Sequence, residues 1–84
     1  MTMKISVISH LYQHQPKEFT PKQISDSLEM KNDSVRRTCL ELDVLGFVKK
    51  SNQSKYSTSI KQAVDFIVWF NEQERLKLSR KLLN

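Results

Sequence analysis

The chain has 84 residues, with one glycine, two prolines and a single cysteine, and its formal net charge is +5. A chain of this length forms one small domain and buries only about 60% of the surface that its unfolded form exposes. The lone cysteine excludes an internal disulfide framework, and the scarcity of glycine excludes glycine-rich phosphate loops. No apolar run approaches the roughly 20 residues of a membrane span. We therefore expect a small, basic, mainly helical protein of the cytoplasm, with no signal peptide and no membrane partner.

The positive charge is concentrated in the middle of the chain. Residues 31–58 contain six lysines and arginines against three acidic residues, whereas residues 1–30 contain three of each. Such a local excess is typical of a surface that binds a polyanion such as nucleic acid. A solvated charged face explains the same composition, so charge alone leaves both interpretations open.

Two helices are predicted in the first third of the chain. In residues 3–13, apolar side chains recur at spacings of three and four, and Pro16 ends this pattern. The apolar side chains of this stripe are Ile5, Ile8, Leu11 and Tyr12. Thr20, Pro21 and Gln23 have the pattern of a capping box with proline at the first helical position, so we expect a second helix to begin there.

A third helix is predicted to begin at Asn32 or Asp33 and to end near Gly46. Glycine adopts the positive φ that commonly ends a helix without steric cost. The inward-facing residues of this helix are Val35, Thr38, Cys39 and Leu42. After Gly46 the apolar spacing changes to two, and residues 47–58 predict a β-hairpin with a charged turn, with Tyr56 packed on the core.

The last helix is predicted to begin at Ser59 and Gln62, which form a second capping-box pattern, and to run to about residue 83. Residues 63–70 are apolar on nearly all sides, and a helix of this kind must be covered all round. We expect one side to lie on the first helix and the other on a second copy of the chain, which gives a homodimer. The predicted dimer interface consists of Phe66, Ile67, Trp69, Phe70 and Leu76. A monomer with all these side chains in one core is the alternative.

The order of these elements resembles that of a winged helix-turn-helix domain. Residues 20–28 (TPKQISDSL) resemble the first helix of the pair, and residues 35–42 (VRRTCLEL) followed by residues 45–48 (LGFV) resemble the recognition helix running into the wing. The spacing of Val35, Leu42 and Gly46 is similar to that of MarR-like and GntR-like regulators. The long last helix is similar to the dimerisation helices of PadR-like regulators and of small archaeal and viral winged-helix proteins. The resemblance implies a winged helix-turn-helix over residues 1–58 and a C-terminal dimerisation helix over residues 59–84 of the same domain.

The resemblance also implies a function, which is sequence-specific binding of double-stranded DNA by a homodimeric transcriptional regulator. The third helix, about residues 32–45, would lie in the major groove, and the wing, about residues 47–58, would lie on the DNA backbone. The base contacts then fall on Asn32, Asp33, Ser34, Arg36 and Arg37. The phosphate contacts fall on Lys22, Lys31, Lys49, Lys50 and Lys55. GntR-like helices carry an arginine after the same valine, so we expect the larger specificity effect from Arg36. The alternative is a winged-helix protein–protein interaction module without DNA binding.

Other chemistry has little support in the sequence. His10 and His14 have a spacing that chelates metals on a helix, but no HExxH motif and no further cysteine or histidine complete a site. We therefore expect surface imidazoles, no metal and no cofactor. No Ser-His-Asp arrangement is indicated, so we expect no enzymatic activity. Cys39 is interpreted as a small buried side chain, with redox sensing as the alternative.

Overall fold

Residues 2–83 are described by the computed structural model of the chain, so residues 1 and 84, which bound the predicted segments, lie outside the described residues. The chain is about 70% helical with a small two-stranded antiparallel sheet, which confirms the prediction of a mainly helical α+β fold. The helices are α1 (Met3–Gln13), α2 (Pro21–Leu28), α3 (Asn32–Leu45) and α4 (Ile60–Leu83). The strands are β1 (Lys49–Lys50) and β2 (Tyr56–Ser57).

Local hydrogen bonds explain where the helices begin and end. At the start of α2, the Gln23 N–H donates to Thr20 Oγ1 at 3.2 Å, and the Thr20 N–H donates to Gln23 Oε1 at 2.9 Å, so the predicted capping box is confirmed. α3 ends at Gly46, which has a φ of +85°. At the start of α4, the Gln62 N–H donates to Ser59 Oγ, but the Gln62 side-chain amide donates to the Gly46 carbonyl at 3.1 Å. Gln62 therefore ties the start of α4 to the end of α3.

The core lies where the four helices and the hairpin meet. The buried apolar side chains are Val7, Ile8, Leu11, Phe19, Ile24, Val35, Cys39, Leu42, Phe47, Val48, Tyr56, Ala63 and Phe66. The predicted inward face of α3 is confirmed, since all four of its residues are buried. One prediction for α1 is wrong, because Tyr12 is exposed and Val7 is fully buried in the core.

The hairpin is shorter than the sequence pattern predicts. Each strand has two residues, with Lys49 opposite Ser57 and Lys50 opposite Tyr56. Phe47 and Val48 precede the paired residues, and their side chains are buried in the core. Tyr56 is buried as predicted, and its backbone exchanges two hydrogen bonds with Phe19, at 2.7 and 2.9 Å. The segment before α2 therefore pairs with β2, which attaches the hairpin to the helical core.

The long helix α4 extends beyond the rest of the chain. Ala63 and Phe66 are buried near its start, whereas every residue from 74 to 83 is exposed. The molecule measures 45 × 27 × 20 Å along its principal axes. Over the described residues, no helix is both long and apolar enough to cross a membrane.

Candidate nucleic-acid interface

The turn between α2 and α3 holds the two helices against each other. Glu29 ends α2 in the left-handed region, with a φ of 54°. The Met30 N–H donates to the Ser25 carbonyl at 3.0 Å, and the buried Ser25 hydroxyl donates to the Met30 carbonyl. Because the buried hydroxyl makes a hydrogen bond, the fold avoids the free-energy cost of burying an unpaired polar group. Ser25 therefore both allows close packing of the helices and closes the turn that leads into α3.

The outward side of α3 follows from its buried stripe. At 3.6 residues per turn, the side opposite the four buried residues is centred on a set of positions three or four apart. These positions are Asp33, Arg37, Leu40 and Val44, with Arg36 and Glu41 at the two edges, and all six are exposed. We call these six residues the α3 outer face. It is the surface through which α3 can contact a partner.

The predicted base-contact residues are distributed unevenly around α3. Asn32, Asp33, Arg36 and Arg37 are exposed, whereas Ser34 is half-buried. Arg36 Nη2 lies 3.7 Å from Asp33 Oδ1, one turn away. Within residues 2–83, Arg37 has no carboxylate oxygen within 4.0 Å. Arg37 is therefore central on the outer face and unpaired there, whereas Arg36 is at its edge and paired.

The apolar part of the α3 outer face was not predicted from the sequence. Leu40 is 43% exposed and Val44 is 86% exposed, although both are large aliphatic side chains. Arg37 and Leu40 line two adjoining shallow depressions of about 400 Å³ each, one with Asp33 and Arg36 and one with Val44 and its neighbours. The sequence does contain a pattern that predicts their exposure. Leu40 and Val44 follow Arg37 at spacings of three and seven, which places them on the side of the helix away from Cys39.

The predicted phosphate-contact lysines lie on three different elements. Lys22 is on α2 and Lys31 precedes α3, whereas Lys49, Lys50 and Lys55 belong to the hairpin. All are exposed except Lys55, which is half-buried. Lys22 Nζ lies 3.7 Å from Asp26 on the exposed side of α2. Among the described residues, the other four lysines have no carboxylate within 4.0 Å, so their charge is uncompensated.

The acidic residues of α3 are partly neutralised by the chain itself. Glu41 lies 3.0 Å from Lys4 Nζ, which joins α3 to α1, and Asp33 pairs with Arg36. Exposed pairs of this kind contribute about 0–1 kcal/mol to stability, because water screens them. Because Glu41, Asp33 and Arg36 are paired, Arg37 is the charged side chain of the α3 outer face that has no ion-pair partner among the described residues.

The predicted dimer residues occupy different sides of α4. Ile67 and Leu76 are exposed, and Trp69 and Phe70 are half-buried. Phe66 is buried in the core of its own chain, with its ring centroid 5.5 Å from that of Phe47. The prediction that Phe66 faces a second copy therefore fails, because the side of α4 that carries Phe66 is the side that packs on the domain.

The titratable side chains of His10 and Cys39 are buried away from the α3 outer face. His10 is buried against Phe19, with ring centroids 4.9 Å apart, so the prediction of two surface imidazoles is wrong for His10 and holds for His14. Burial, together with the nearby His14, lowers the pKa of His10. Burial raises the pKa of the Cys39 thiol to about 12, so the thiol stays protonated at neutral pH. Over residues 2–83, no group of three or more histidine, cysteine or acidic side chains is placed to hold a metal ion.

The candidate site therefore consists of the exposed, partly apolar outer face of α3 and the exposed lysines of the hairpin that follows α3 in the chain. The turn at Glu29 and the hydrogen bond from Gln62 to Gly46 hold the two ends of α3 in place. A helix that presents an unpaired arginine beside an aliphatic side chain can contact the edge of a base pair. No model of a known protein family, no curated protein and no solved structure matches this chain.

Proposed function

We propose that this chain is a winged helix-turn-helix protein that binds double-stranded DNA sequence-specifically and regulates transcription as a homodimer. In this proposal α2 and α3 form the helix-turn-helix, α3 enters the major groove, and the hairpin is the wing on the DNA backbone. A free thiol such as Cys39 suits the reducing cytoplasm, where we propose that the protein acts.

The α3 outer face is the observation that carries this proposal. Arginine reads guanine through two hydrogen bonds, and an aliphatic side chain contacts the 5-methyl group of thymine. Arg37 and Leu40 are neighbours on this face, and Arg37 has no competing carboxylate among the described residues. The pair therefore has the chemistry to read adjacent base pairs, and it revises the expectation that Arg36 dominates specificity.

The lysines on the hairpin and at the start of α3 supply the electrostatic part of binding. Lys31, Lys49 and Lys50 are exposed and uncompensated, and each phosphate that a lysine neutralises releases condensed counterions from the DNA. The two-residue strands make a short wing, which suits contacts to phosphate rather than insertion of side chains into a groove.

Selection of bound fragments from random duplex DNA tests the proposal directly. We expect recovery of a preferred sequence with two related half-sites about one helical turn apart, as two-fold symmetric dimers require. Affinity for that sequence should fall steeply with salt and exceed affinity for a scrambled duplex at each salt concentration. Absence of DNA binding at 50 mM salt would refute the proposal.

A second candidate function is protein–protein interaction through the same face. Val44 and Leu45 are exposed at the end of α3 and line a depression with Leu40, and apolar side chains in that position also suit a protein partner. A chain of this second kind would show little salt-dependent DNA binding. The selection experiment therefore separates the two candidates.

A further inference from the structure

The solvent-exposed side of α4 carries an apolar stripe, which Asn71 and Arg75 interrupt between Val68 and Leu78. The stripe consists of Ile60, Val64, Ile67, Val68, Leu78 and Leu82, and each of these side chains is more than half exposed. Six exposed aliphatic side chains on one side of one helix form an apolar patch of the size that often marks an interaction site on a soluble protein. This stripe differs from the interface that the sequence predicted, and it shares only Ile67 with it.

The stripe continues sideways onto α1. A groove of about 370 Å³ lies between α1 and α4, and its walls include Ile5, Tyr12, Val64 and Ile67. Ile5 is half-buried and Tyr12 is exposed, so this wall of the groove is open to solvent. An apolar helix laid along the stripe would also cover the groove.

The far end of α4 needs a partner for its own stability. Residues 74–83 are all exposed, so no other part of residues 2–83 covers them. A helical segment of about ten residues without tertiary packing is marginal in water. The helix nevertheless carries leucines at 78 and 82 in line with Val64 and Ile67, which a second helix would cover.

We infer that the α4 stripe binds the α4 stripe of a second copy in the antiparallel direction, with the two-fold axis at Asn71. Asn71 is exposed and lies midway along the stripe, eleven residues from both Ile60 and Leu82. In this register Ile60 faces Leu82 of the second copy and Val64 faces its Leu78, so each end of the pair has two apolar layers. Asn71 faces Asn71, and a single asparagine at a helix interface fixes register by hydrogen bonding to its equivalent. The inference rests on the homodimer of the proposed function but not on its DNA binding.

The charges of α4 favour the antiparallel direction. The last nine described residues contain Arg75, Lys77, Arg80 and Lys81 and no acidic residue. Parallel pairing would place these four cations beside the same four of the second copy, and like charges at close range destabilise a helix pair. Antiparallel pairing places them instead beside the first half of the partner helix, where Lys61 and Asp65 balance each other.

The surface is large enough for a dimer. Covering six aliphatic side chains that are each more than half exposed removes on the order of 500 Å² per copy, or about 1,000 Å² for two copies. A specific interface needs about 1,000 Å², and the groove beside α1 adds to this area. A second copy is therefore a sufficient occupant of the stripe.

Site-specific disulfides test the direction and the register. Asn71→Cys and Val64→Cys are made separately in the full chain, oxidised, and run on non-reducing gels. We expect Asn71→Cys to form a covalent dimer at least tenfold faster than Val64→Cys. In the inferred register the two copies of position 64 are offset by 14 residues, about 21 Å along the helix axis, which is too far for a disulfide. The unsubstituted chain, whose Cys39 is buried, is the background control.

Light scattering at micromolar concentration gives a second and independent test. We expect the unsubstituted chain to run near twice 9.9 kDa and Val64→Glu to run as a monomer. Val44→Glu, which places the same charge on the exposed valine of α3, should remain dimeric and controls for the added charge. The inference is overturned if the unsubstituted chain is a monomer or if Val64→Cys and Asn71→Cys cross-link at equal rates. It is also overturned if Val44→Glu dissociates the dimer and Val64→Glu does not. DNA binding is measured separately, so the two proposals can fail independently. A monomer that binds DNA refutes the dimer but not the DNA binding. A cross-linked dimer that does not bind DNA refutes the DNA binding but not the dimer.

Discussion

Replacing Arg37 by alanine tests whether α3 reads bases or only holds the DNA backbone. Arg37 is central on the α3 outer face and has no carboxylate partner among the described residues, so it breaks no ion pair when it binds a base. A bidentate arginine–guanine contact contributes about 1–3 kcal/mol of discrimination. Arg37→Ala should therefore weaken binding to the selected sequence roughly 5- to 150-fold and leave binding to a scrambled duplex nearly unchanged.

Arg36→Ala should have the smaller effect on specificity. Arg36 lies at the edge of the outer face, 3.7 Å from Asp33, and it must leave that carboxylate to reach a base. The exposed ion pair between Arg36 and Asp33 contributes less than about 1 kcal/mol, so breaking it costs little binding free energy. The position of Arg36 at the edge of the face favours a contact with a DNA phosphate over a contact with a base. Under this reasoning Arg36→Ala weakens both duplexes by a similar factor.

Fluorescence anisotropy with selected and scrambled duplexes at several salt concentrations is the assay. Arg80→Ala is the matched control, because it removes the same charge from an exposed position at the far end of α4. Equal losses on both duplexes for Arg37→Ala would show that the residue contacts phosphate. If both arginine variants bind as the unsubstituted chain does while the hairpin lysine variants fail, α3 does not lie in the major groove and the reasoning is refuted.

Four further predictions concern single residues. Lys50→Ala should weaken all duplexes alike and reduce the slope of log affinity against log salt by about one, as the loss of one phosphate contact requires. Replacing the thymines of the selected sequence by uracil should weaken binding by a few-fold, about 1 kcal/mol, in the unsubstituted chain but not in Leu40→Ala, because only the methyl contact is removed. Cys39→Ser should destabilise the protein more than Cys39→Ala in urea unfolding, since a buried hydroxyl without a partner costs roughly 1–3 kcal/mol, and both should keep DNA affinity under reducing conditions. Burial lowers the pKa of His10, so the unfolded chain takes up protons first as the pH falls below about 6.5, and the melting temperature should drop between pH 7.5 and 5.5. His10→Gln should reduce that drop.

Each of these predictions has a result that contradicts it. If Lys50→Ala leaves the slope of log affinity against log salt unchanged, Lys50 does not contact a DNA phosphate. If uracil weakens binding equally in Leu40→Ala and in the unsubstituted chain, a residue other than Leu40 contacts the thymine methyl group. Oxidant-dependent release of DNA that disappears in Cys39→Ala would make the thiol a redox sensor, and an equal pH effect in His10→Gln would assign the titration to another group, for which His14→Gln is the control.

Local features of the fold were determined by the sequence itself. The capping box of Thr20 and Gln23, the end of α3 at Gly46 and the buried stripe around Cys39 were all predicted correctly. These features depend on hydrogen bonds and spacings within three or four residues, and such short-range geometry is the same in any fold that contains the segment. The coarse fold class follows from them, because four periodic segments and one hairpin pattern leave few alternatives.

The candidate site was predicted only in part. The exposure of Arg36 and Arg37 follows from helical periodicity, once the buried stripe of α3 is known. Leu40 and Val44 were not predicted as surface residues, because apolar side chains are assigned to the core by default, whereas both side chains are exposed in the structure. Which arginine is paired also needed the structure, since the distance from Arg36 to Asp33 depends on side-chain conformation.

Long-range packing decided the remaining features. Phe66 and Ile67 are adjacent in a segment that is apolar on nearly all sides, yet Phe66 is buried and Ile67 is exposed, because only one side of α4 meets the domain. His10 is buried for a similar reason, since Phe19, which pairs with β2, lies against the side of α1 that carries it. A periodic pattern states which residues share a side of a helix, but the side that is covered depends on the position of segments distant in the chain.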